Sequence, residues 1–197
     1  MPSRMLQLDY ANVLDSAVGP VHGLSPAEIE RAAAAVSAVV RRIEQERKSG
    51  QHRYRDLPTD RVMLKTVQAA VKRYAGRFEN LVILGIGGSA LGNIALQTAL
   101  NPPYHNLATG KARRGPRLFV LDNVDPVQIG NLLDMLGTGL RKTLFNVISK
   151  SGETAETAAQ FLIIRDLVAR RLGSKALTKN IVVTTDPEGG TMREIVA

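Results

Sequence analysis

The chain has 197 residues, of which 44% are hydrophobic and 22% charged, and its formal net charge is +8 at pH 7. This composition is typical of a globular protein with a packed core, and the absence of cysteine excludes disulfides, thiolate chemistry and cysteine-ligated metal sites. No apolar run approaches the roughly 20 residues of a membrane span, and the first ten residues lack the apolar centre of a signal peptide, so we expect a cytoplasmic protein that does not bind membranes.

Lysine and arginine are concentrated in three clusters, at 41–42, 111–117 and 170–171. Such clusters can bind the phosphates of nucleic acids. However, the chain has only four Phe, four Tyr and no Trp, so no aromatic platform for stacking bases stands out. We therefore favour solvated helix faces and a basic loop, and we expect no nucleic-acid partner.

The first 75 residues predict a helical segment. One helix is predicted to begin after Ser25, a good N-cap, with Pro26 at its first position, and to run to Lys48. A second helix is predicted over 59–74. Because apolar residues recur at helical spacing in both, we expect the segment 1–75 to pack against another part of the protein.

From Asn80 onward, short apolar runs alternate with helical stretches. The runs predict strands at 81–86, 117–122, 143–149 and 180–185, and the stretches between them predict helices at 89–100, 125–136 and 154–172. This alternation is typical of βαβ units, so we predict an α/β domain over 76–197, with a parallel sheet covered by helices on both faces. Ligands of such sheets bind beyond the carboxyl ends of the strands.

The loop after the first predicted strand is rich in glycine, with the sequence "LGIGGSALG" over 84–92. Glycine lets the backbone approach a ligand closely, and the amides that open the next helix can bind an anion. The stretch also fits the dinucleotide pattern G-x-G-x-x-A through Gly85, Gly87 and Ala90. Asp122 would then bind the ribose, but it lies too far from Ala90 for the expected spacing of about 20 residues. A dehydrogenase domain and a purely structural tight turn stay as less favoured alternatives.

The loop after the third predicted strand, "SKSGETAET", follows a buried strand with hydroxyls, a lysine and a glycine. Its hydroxyl groups are those of Ser149, Ser151 and Thr154. With Lys150 and the amides that open the next helix, they predict a site for a phosphate monoester. Ser151 alone would be explained as a helix cap, and Glu153 and Glu156 as acids that complement the helix dipole. The set as a whole, opposite a glycine-rich loop, favours a ligand.

"GIGGSALG" and "SKSGETAET" resemble the two sugar-phosphate-binding signatures of the glucose-6-phosphate isomerase family, within the sugar isomerase (SIS) superfamily. The closing "VVTTDPEGGTMREIVA" is similar to the strand and helix that follow in that family. The isomerase domain of the glucosamine-6-phosphate-forming amidotransferase is also similar, but it typically carries Gln in place of Lys150 and Asp in place of Glu156. Lys150 and Glu156 together therefore favour the isomerase family. The resemblance implies a three-layer sandwich with the flavodoxin-like sheet of SIS domains.

The resemblance implies an isomerase of glycolysis and gluconeogenesis that interconverts glucose 6-phosphate and fructose 6-phosphate through a cis-enediolate, without metal or cofactor. It also implies a homodimer or higher homo-oligomer. By resemblance, the substrate-binding residues are Gly88, Ser89, Ser149, Lys150, Ser151, Gly152, Glu153 and Thr154, and Glu156 organises the pocket.

In that family the catalytic arginine, glutamate and histidine lie further along a longer chain, so we expect no catalytic residue here. We expect this chain to be the amino-terminal part of the isomerase, truncated at Ala197 and inactive by itself. Its three histidines, His22, His52 and His105, match no family motif and are expected at the surface. A non-catalytic SIS module that binds a sugar phosphate is the second interpretation.

Overall fold

The computed structural model describes residues 8–109 and 112–196, without the side chains of Ala34 and Arg53. Lys111, which opens the basic cluster 111–117, and Ala197 lie outside the described residues. The chain divides into two compact units, residues 1–68 and 69–197. The predicted domain boundary near residue 75 and the predicted packing of the helical segment on the α/β domain stay predictions.

The first unit is helical. Its helices are α1 (Asp15–Val18), α2 (Pro26–Lys48) and the greater part of α3 (Arg61–Tyr74). One 3-10 segment precedes α1 (Ala11–Val13), and another lies between α2 and α3 (Arg53–Thr59). Helix α2 begins where the sequence predicts, because Ser25 and Glu28 form a capping box. The Glu28 amide donates to the Ser25 hydroxyl at 3.3 Å, and the Ser25 amide donates to the Glu28 carboxylate at 2.9 Å. This backbone hydrogen bond lowers the pKa of Glu28.

Ion pairs hold the end of α2 against the 3-10 segment that follows it. Arg47 binds Asp56 at 2.6 Å, and Arg55 binds Glu44 at 2.9 Å. The hydrogen bond and charge of Asp56 raise the pKa of Arg47. The turn after α2 is therefore fixed by side chains on both sides of it.

The second unit contains the predicted strands and helices. The strands are β1 (Asn80–Leu84), β2 (Arg117–Leu121), β3 (Thr143–Ser149) and β4 (Ile181–Thr185). The helices are α4 (Gly88–Leu100), α5 (Pro126–Leu136), α6 (Ala155–Leu172), α7 (Leu177–Asn180) and α8 (Thr191–Val196). Strand β1 ends two residues before its predicted end, because the chain turns at Gly85–Gly87, where Gly87 has φ 55°.

The four strands form one parallel sheet in the order β2-β1-β3-β4. Asn80 of β1 lies opposite Arg117 on one side and Thr143 on the other. This is the flavodoxin-like order, and it confirms the predicted fold class. The classic dinucleotide fold places its third strand beside the second. Here β3 pairs with β1 instead, so the strand order does not fit the dehydrogenase alternative.

The core lies between the sheet and the helices α5 and α6. Its buried residues include Val82, Leu84, Phe145 and Val147 of the sheet, Ile129, Leu132 and Leu136 of α5, and Phe161, Ile164 and Val168 of α6. Right-handed crossovers place α4 on the opposite face. Of the residues of α4, all of which the structure describes, only Ala90 is buried. Most of the buried side chains that pack on the sheet therefore lie on the side covered by α5 and α6.

Two of the three histidines differ from the predicted surface position. His105 is 5% exposed, and its ring Nε2 lies 3.1 Å from the carbonyl oxygen of Pro116, the residue before β2. His52 is half-buried, with Nε2 3.0 Å from Glu46. His22 is exposed as predicted. The partner of His105 lies 11 positions away in sequence, and the partner of His52 lies in α2. The local sequence pattern therefore did not reveal either contact.

Candidate functional site

The loops after β1 and β3 meet at the carboxyl edge of the sheet. Strands β1 and β3 are neighbours, but β1 continues through α4 to one side and β3 through α6 to the other. Such a switch point leaves a crevice between the two loops. A cleft of about 760 Å³ lies there, lined by Ile86, Gly88, Ser89, Asn93, Ile148, Lys150, Thr184, Thr185 and Asp186. The predicted residues Gly88, Ser89 and Lys150 therefore share one cleft.

The glycine loop 85–88 has two positions at which a side chain does not fit. A Cβ on Gly85 would lie 2.9 Å from the Ser89 Cβ and 3.1 Å from the Ile148 carbonyl oxygen, so only glycine lets α4 begin this close to β3. Gly87, the N-cap of α4, has φ 55° and ψ −120°, a conformation that favours glycine. Gly88 has open space where a Cβ would be. The backbone at the start of α4 is thus open to the cleft.

The loop 149–154 is shaped by the hydroxyl of Ser149. Ser149 is 1% exposed, and its hydroxyl accepts from the Gly152 amide at 3.1 Å and donates to the Thr154 hydroxyl at 3.3 Å. Ser151 accepts from the Glu153 amide at 3.1 Å. Gly152 is buried with φ 71°. The buried hydroxyl therefore fixes a tight turn, while the side chains of Lys150 and Ser151 are exposed.

Helix α6 begins directly after this loop. Thr154 is its N-cap, but no described side chain caps the first turn. Glu156 is exposed in that turn. The amides that open an 18-residue helix therefore face the loop without a side-chain acceptor, which is an arrangement suited to an anion.

Glu153 differs from the other predicted residues, because its carboxylate is bonded to the start of α8. It accepts from the Thr191 amide at 2.6 Å and from the Thr191 hydroxyl at 3.0 and 3.1 Å. The Met192 amide also donates to the Gly152 carbonyl oxygen at 3.1 Å. The loop after β4 is thus in contact with the loop after β3.

Six cleft residues were not predicted from the sequence: Ile86, Asn93, Ile148, Thr184, Thr185 and Asp186. Thr185 ends β4 and Asp186 follows it, so the rule that ligands bind beyond the carboxyl ends of the strands also indicates these two residues. Asn93 lies one turn after Ser89 and donates to its carbonyl oxygen at 3.0 Å. Its role depends on which face of α4 borders the cleft, and the sequence pattern of α4 does not reveal that.

Charges are unevenly distributed between the two edges of the sheet. Basic residues cluster where the strands begin, including Arg113, Arg117, Arg141 and Lys142. Acids follow the strands, including Asp122, Asp125, Asp186 and Glu188. In the cleft, Lys150 is the basic lining residue and Asp186 the acidic one. Lys150 is therefore the positive charge that the cleft offers an anion, and of the residues 149–156 it is the one that lines the cleft.

The described residues offer no second candidate site that combines a glycine loop with a hydroxyl-rich loop. No group of three or more His, Asp or Glu side chains within 8–109 and 112–196 is arranged to hold a metal ion. No helix among these residues is both long and apolar enough to cross a membrane. A groove of about 560 Å³ between α5 and α6 is lined largely by leucine and glycine, with Arg141 and Arg171, and adjoins neither loop.

Comparison with known proteins gives consistent matches. The family model described as phosphoglucose isomerase matches residues 57–191. The glucose-6-phosphate isomerase of Carboxydothermus hydrogenoformans is 41% identical over 129 residues, which cover 66% of this chain and 27% of the relative. That of Rubrobacter xylanophilus is 36% identical over 188 residues, which cover 95% and 41%. A crystal structure of a hypothetical protein from Thermus thermophilus is 34% identical, with a TM-score of 0.71 over 87% of this chain and 38% of the other.

Proposed function

Since the chain belongs to the phosphoglucose isomerase family, we propose that it supplies the phosphate-binding part of a glucose-6-phosphate isomerase. The observation that supports this most is that the glycine loop and the loop after β3 line one cleft at the switch point of the sheet. The proposed substrate class is a sugar phosphate, with glucose 6-phosphate and fructose 6-phosphate as the pair interconverted.

In this proposal the loop 149–154 and the start of α6 bind the phosphate. The hydroxyls of Ser151 and Thr154 lie on this loop, the amides that open α6 have no side-chain acceptor, and Lys150 adds a positive charge. The glycine loop, through Gly88 and Ser89, holds the sugar. Dianionic phosphate suits this position, since the dipole of α6 favours a negative charge at its amino end.

We propose that the residues that transfer protons lie in a region of the complete enzyme that this chain does not span. The chain covers 27% and 41% of the length of the two curated relatives. His105, the histidine of the α/β unit, binds the residue before β2 and so lies at the opposite edge of the sheet. Substrate binding without turnover is therefore proposed for these 197 residues alone. The complete enzyme is proposed to be a cytoplasmic homo-oligomer.

Ligand titration followed by an activity assay tests this proposal. We expect glucose 6-phosphate, fructose 6-phosphate and inorganic phosphate to bind the chain saturably by calorimetry, and glucose and NAD not to bind. Lys150→Met should weaken the binding of all three phosphates, whereas Lys179→Met, at the other edge of the sheet, should leave it unchanged. Binding of NAD but not of phosphate would refute the proposal.

The activity assay uses the Rubrobacter xylanophilus relative as its reference. We expect that relative to convert glucose 6-phosphate to fructose 6-phosphate and this chain to give only the background rate. Loss of general acid–base catalysis alone costs roughly 10²–10⁴-fold in rate. Turnover by the chain near that of the relative would mean that catalytic residues lie within it.

A non-catalytic sugar-phosphate-binding module is the second candidate. The position of His105 favours it for this chain alone, because no histidine of the α/β unit is left to open the sugar ring at the cleft. Saturable binding without turnover, both by this chain and by any longer product of the same gene, would support it over the isomerase.

A further inference from the structure

The carboxylate of Glu153 makes all its described hydrogen bonds with one residue of another loop. Both its oxygens accept from the Thr191 hydroxyl, and Oε1 also accepts from the Thr191 amide at 2.6 Å. Thr191 is 38 positions away in sequence and opens α8. Glu153 therefore joins the loop after β3 to the loop after β4.

The same two loops are in close backbone contact beside this carboxylate. The Met192 amide donates to the Gly152 carbonyl oxygen at 3.1 Å. A Cβ on Gly152 would lie 3.2 Å from the Gly190 Cα, and a Cβ on Gly190 would overlap the Ser151 carbonyl oxygen. Both glycines have positive φ, 71° and 91°. The two chain segments thus approach each other as closely as glycine allows, and the hydrogen bonds of Glu153 to Thr191 add to this contact.

The buried hydroxyl of Thr185 lies in the same contact. It has no hydrogen-bond partner among the described residues, and a Cβ on Gly152 would lie 3.2 Å from it. Thr185 therefore gives the loop 151–153 no hydrogen bond, although it lies directly beside it. The position of that loop depends instead on its bonds to Ser149 and to the start of α8.

A carboxylate within a phosphate-binding loop needs such a restraint. Like charges a few ångströms apart repel, and a free Glu153 side chain would also compete with phosphate for the amides that open α6. Bonded to Thr191, the carboxylate is directed at the amide and hydroxyl of the residue that opens α8. The bond both holds the loop and keeps the negative charge away from the amides that open α6.

We infer that Glu153 is a positioning residue that clamps the phosphate-binding loop to the start of α8 and does not contact the substrate. This replaces the substrate contact that the family resemblance implies for Glu153, and it rests on the proposed function of the cleft. The loop after β4 thereby becomes part of the site, although its residues beyond Asp186 do not line the cleft.

Two substitutions separate a clamp from a ligand. Glu153→Ala removes the acceptors of Thr191, whereas Glu153→Gln keeps an acceptor oxygen and removes the charge. For a clamp, Glu153→Ala should weaken the binding of inorganic phosphate and of glucose 6-phosphate by the same factor, on the order of three- to tenfold, as expected for the loss of one ordinary hydrogen bond at an exposed position. Glu153→Gln should restore the binding of both. Glu188→Ala, which removes a charge from the same edge without touching the clamp, should leave both unchanged.

A substrate contact predicts a different pattern. If Glu153 accepts hydrogen bonds from the sugar, then both substitutions weaken glucose 6-phosphate and neither weakens inorganic phosphate. That result would overturn the inference. Equal weakening of both ligands by Glu153→Gln and Glu153→Ala would also overturn it, because the charge and not the hydrogen bond would then be what matters.

Hydrogen exchange without ligand tests the clamp independently of the proposed function. The amides of Gly152, Thr191 and Met192 should exchange faster in Glu153→Ala and at the wild-type rate in Glu153→Gln. Unchanged exchange in Glu153→Ala would refute the clamp. If exchange behaves as expected but the wild-type chain binds no phosphate, the clamp stands and the proposed function fails.

Discussion

The buried hydroxyl of Ser149 accepts a hydrogen bond from the amide of Gly152 at 3.1 Å, and this bond sets the shape of the candidate phosphate loop. Both residues are buried, and Gly152 has the positive φ that the turn requires. The last residue of β3 therefore determines where the following loop presents its amides. The side chain is thus structural as well as a candidate ligand.

Ser149→Ala should destabilise the α/β unit and weaken phosphate binding. It leaves the buried Gly152 amide without an acceptor, which costs about 1–3 kcal/mol. Urea unfolding measures the loss of stability, and calorimetry measures phosphate affinity. Ser151→Ala removes an exposed hydroxyl of the same loop and should change stability by less than about 0.5 kcal/mol. Equal stability of the two variants would contradict the role assigned to Ser149.

Gly190→Ala should disrupt the loop contact, whereas Gly189→Ala should not. Gly190 has φ 91°, and a Cβ there overlaps the Ser151 carbonyl oxygen. Gly189 has open space at the corresponding position. A non-glycine residue at positive φ costs roughly 1–2 kcal/mol before the overlap is counted. We expect a lower unfolding temperature and weaker phosphate binding for Gly190→Ala only. If Gly190→Ala retained phosphate binding, contact between the two loops would not be needed for that binding.

Gln160→Met should destabilise the α/β unit by about 1–3 kcal/mol. The buried Gln160 amide donates to the carbonyl oxygens of Leu121 at 3.2 Å and Asn123 at 2.8 Å. The Leu121 oxygen also accepts from the Gly85 amide at 3.3 Å, so one carbonyl connects α6 to the glycine loop. Amide exchange at Gly85 should therefore rise together with the loss of stability. Gln128→Met on the exposed surface of α5 is the control, and similar values for both variants would contradict this role.

The stability of the α/β unit should fall in acid partly through Glu79. The Lys142 ammonium donates to its carboxylate at 2.6 Å and lowers the pKa of Glu79 below its usual 4.5, with the charges of Arg117 and Arg113 adding to the effect. A depressed pKa in the folded state contributes stability above pH 4.5 that is lost as the pH falls through the folded-state value.

Lys142→Met should raise the pKa of Glu79 and reduce the dependence of stability on pH in this acid range. Nuclear magnetic resonance titration of the Glu79 carboxyl group, with urea unfolding at several pH values, measures both. Lys179→Met removes a charge from the same edge without removing the hydrogen bond. A Glu79 pKa that is the same with and without Lys142 would show that the pair does not form in solution.

Local pattern was sufficient to predict most of the elements. Ser25 and Pro26 specify the start of α2 through capping chemistry that lies within four residues. The apolar runs of β1 to β4 and the helices between them are also local patterns, and their predicted bounds differ from the observed ones by at most two residues. His105 was wrongly predicted to be exposed, because its acceptor, the Pro116 carbonyl, lies 11 positions further along the chain, beyond the reach of a local pattern.

The sequence by itself determined the classes of chemistry available: a glycine loop, a hydroxyl-rich loop after a buried strand, and their resemblance to one family. Each of these is encoded within about ten consecutive residues, where turn and capping preferences act. Only the tertiary structure decided that β1 and β3 are neighbours, that their loops therefore share a cleft, and that Glu153 bonds to Thr191 rather than facing that cleft. Strand order and contacts between loops depend on packing between residues far apart in the chain, and a local pattern carries no record of which distant residue becomes the partner.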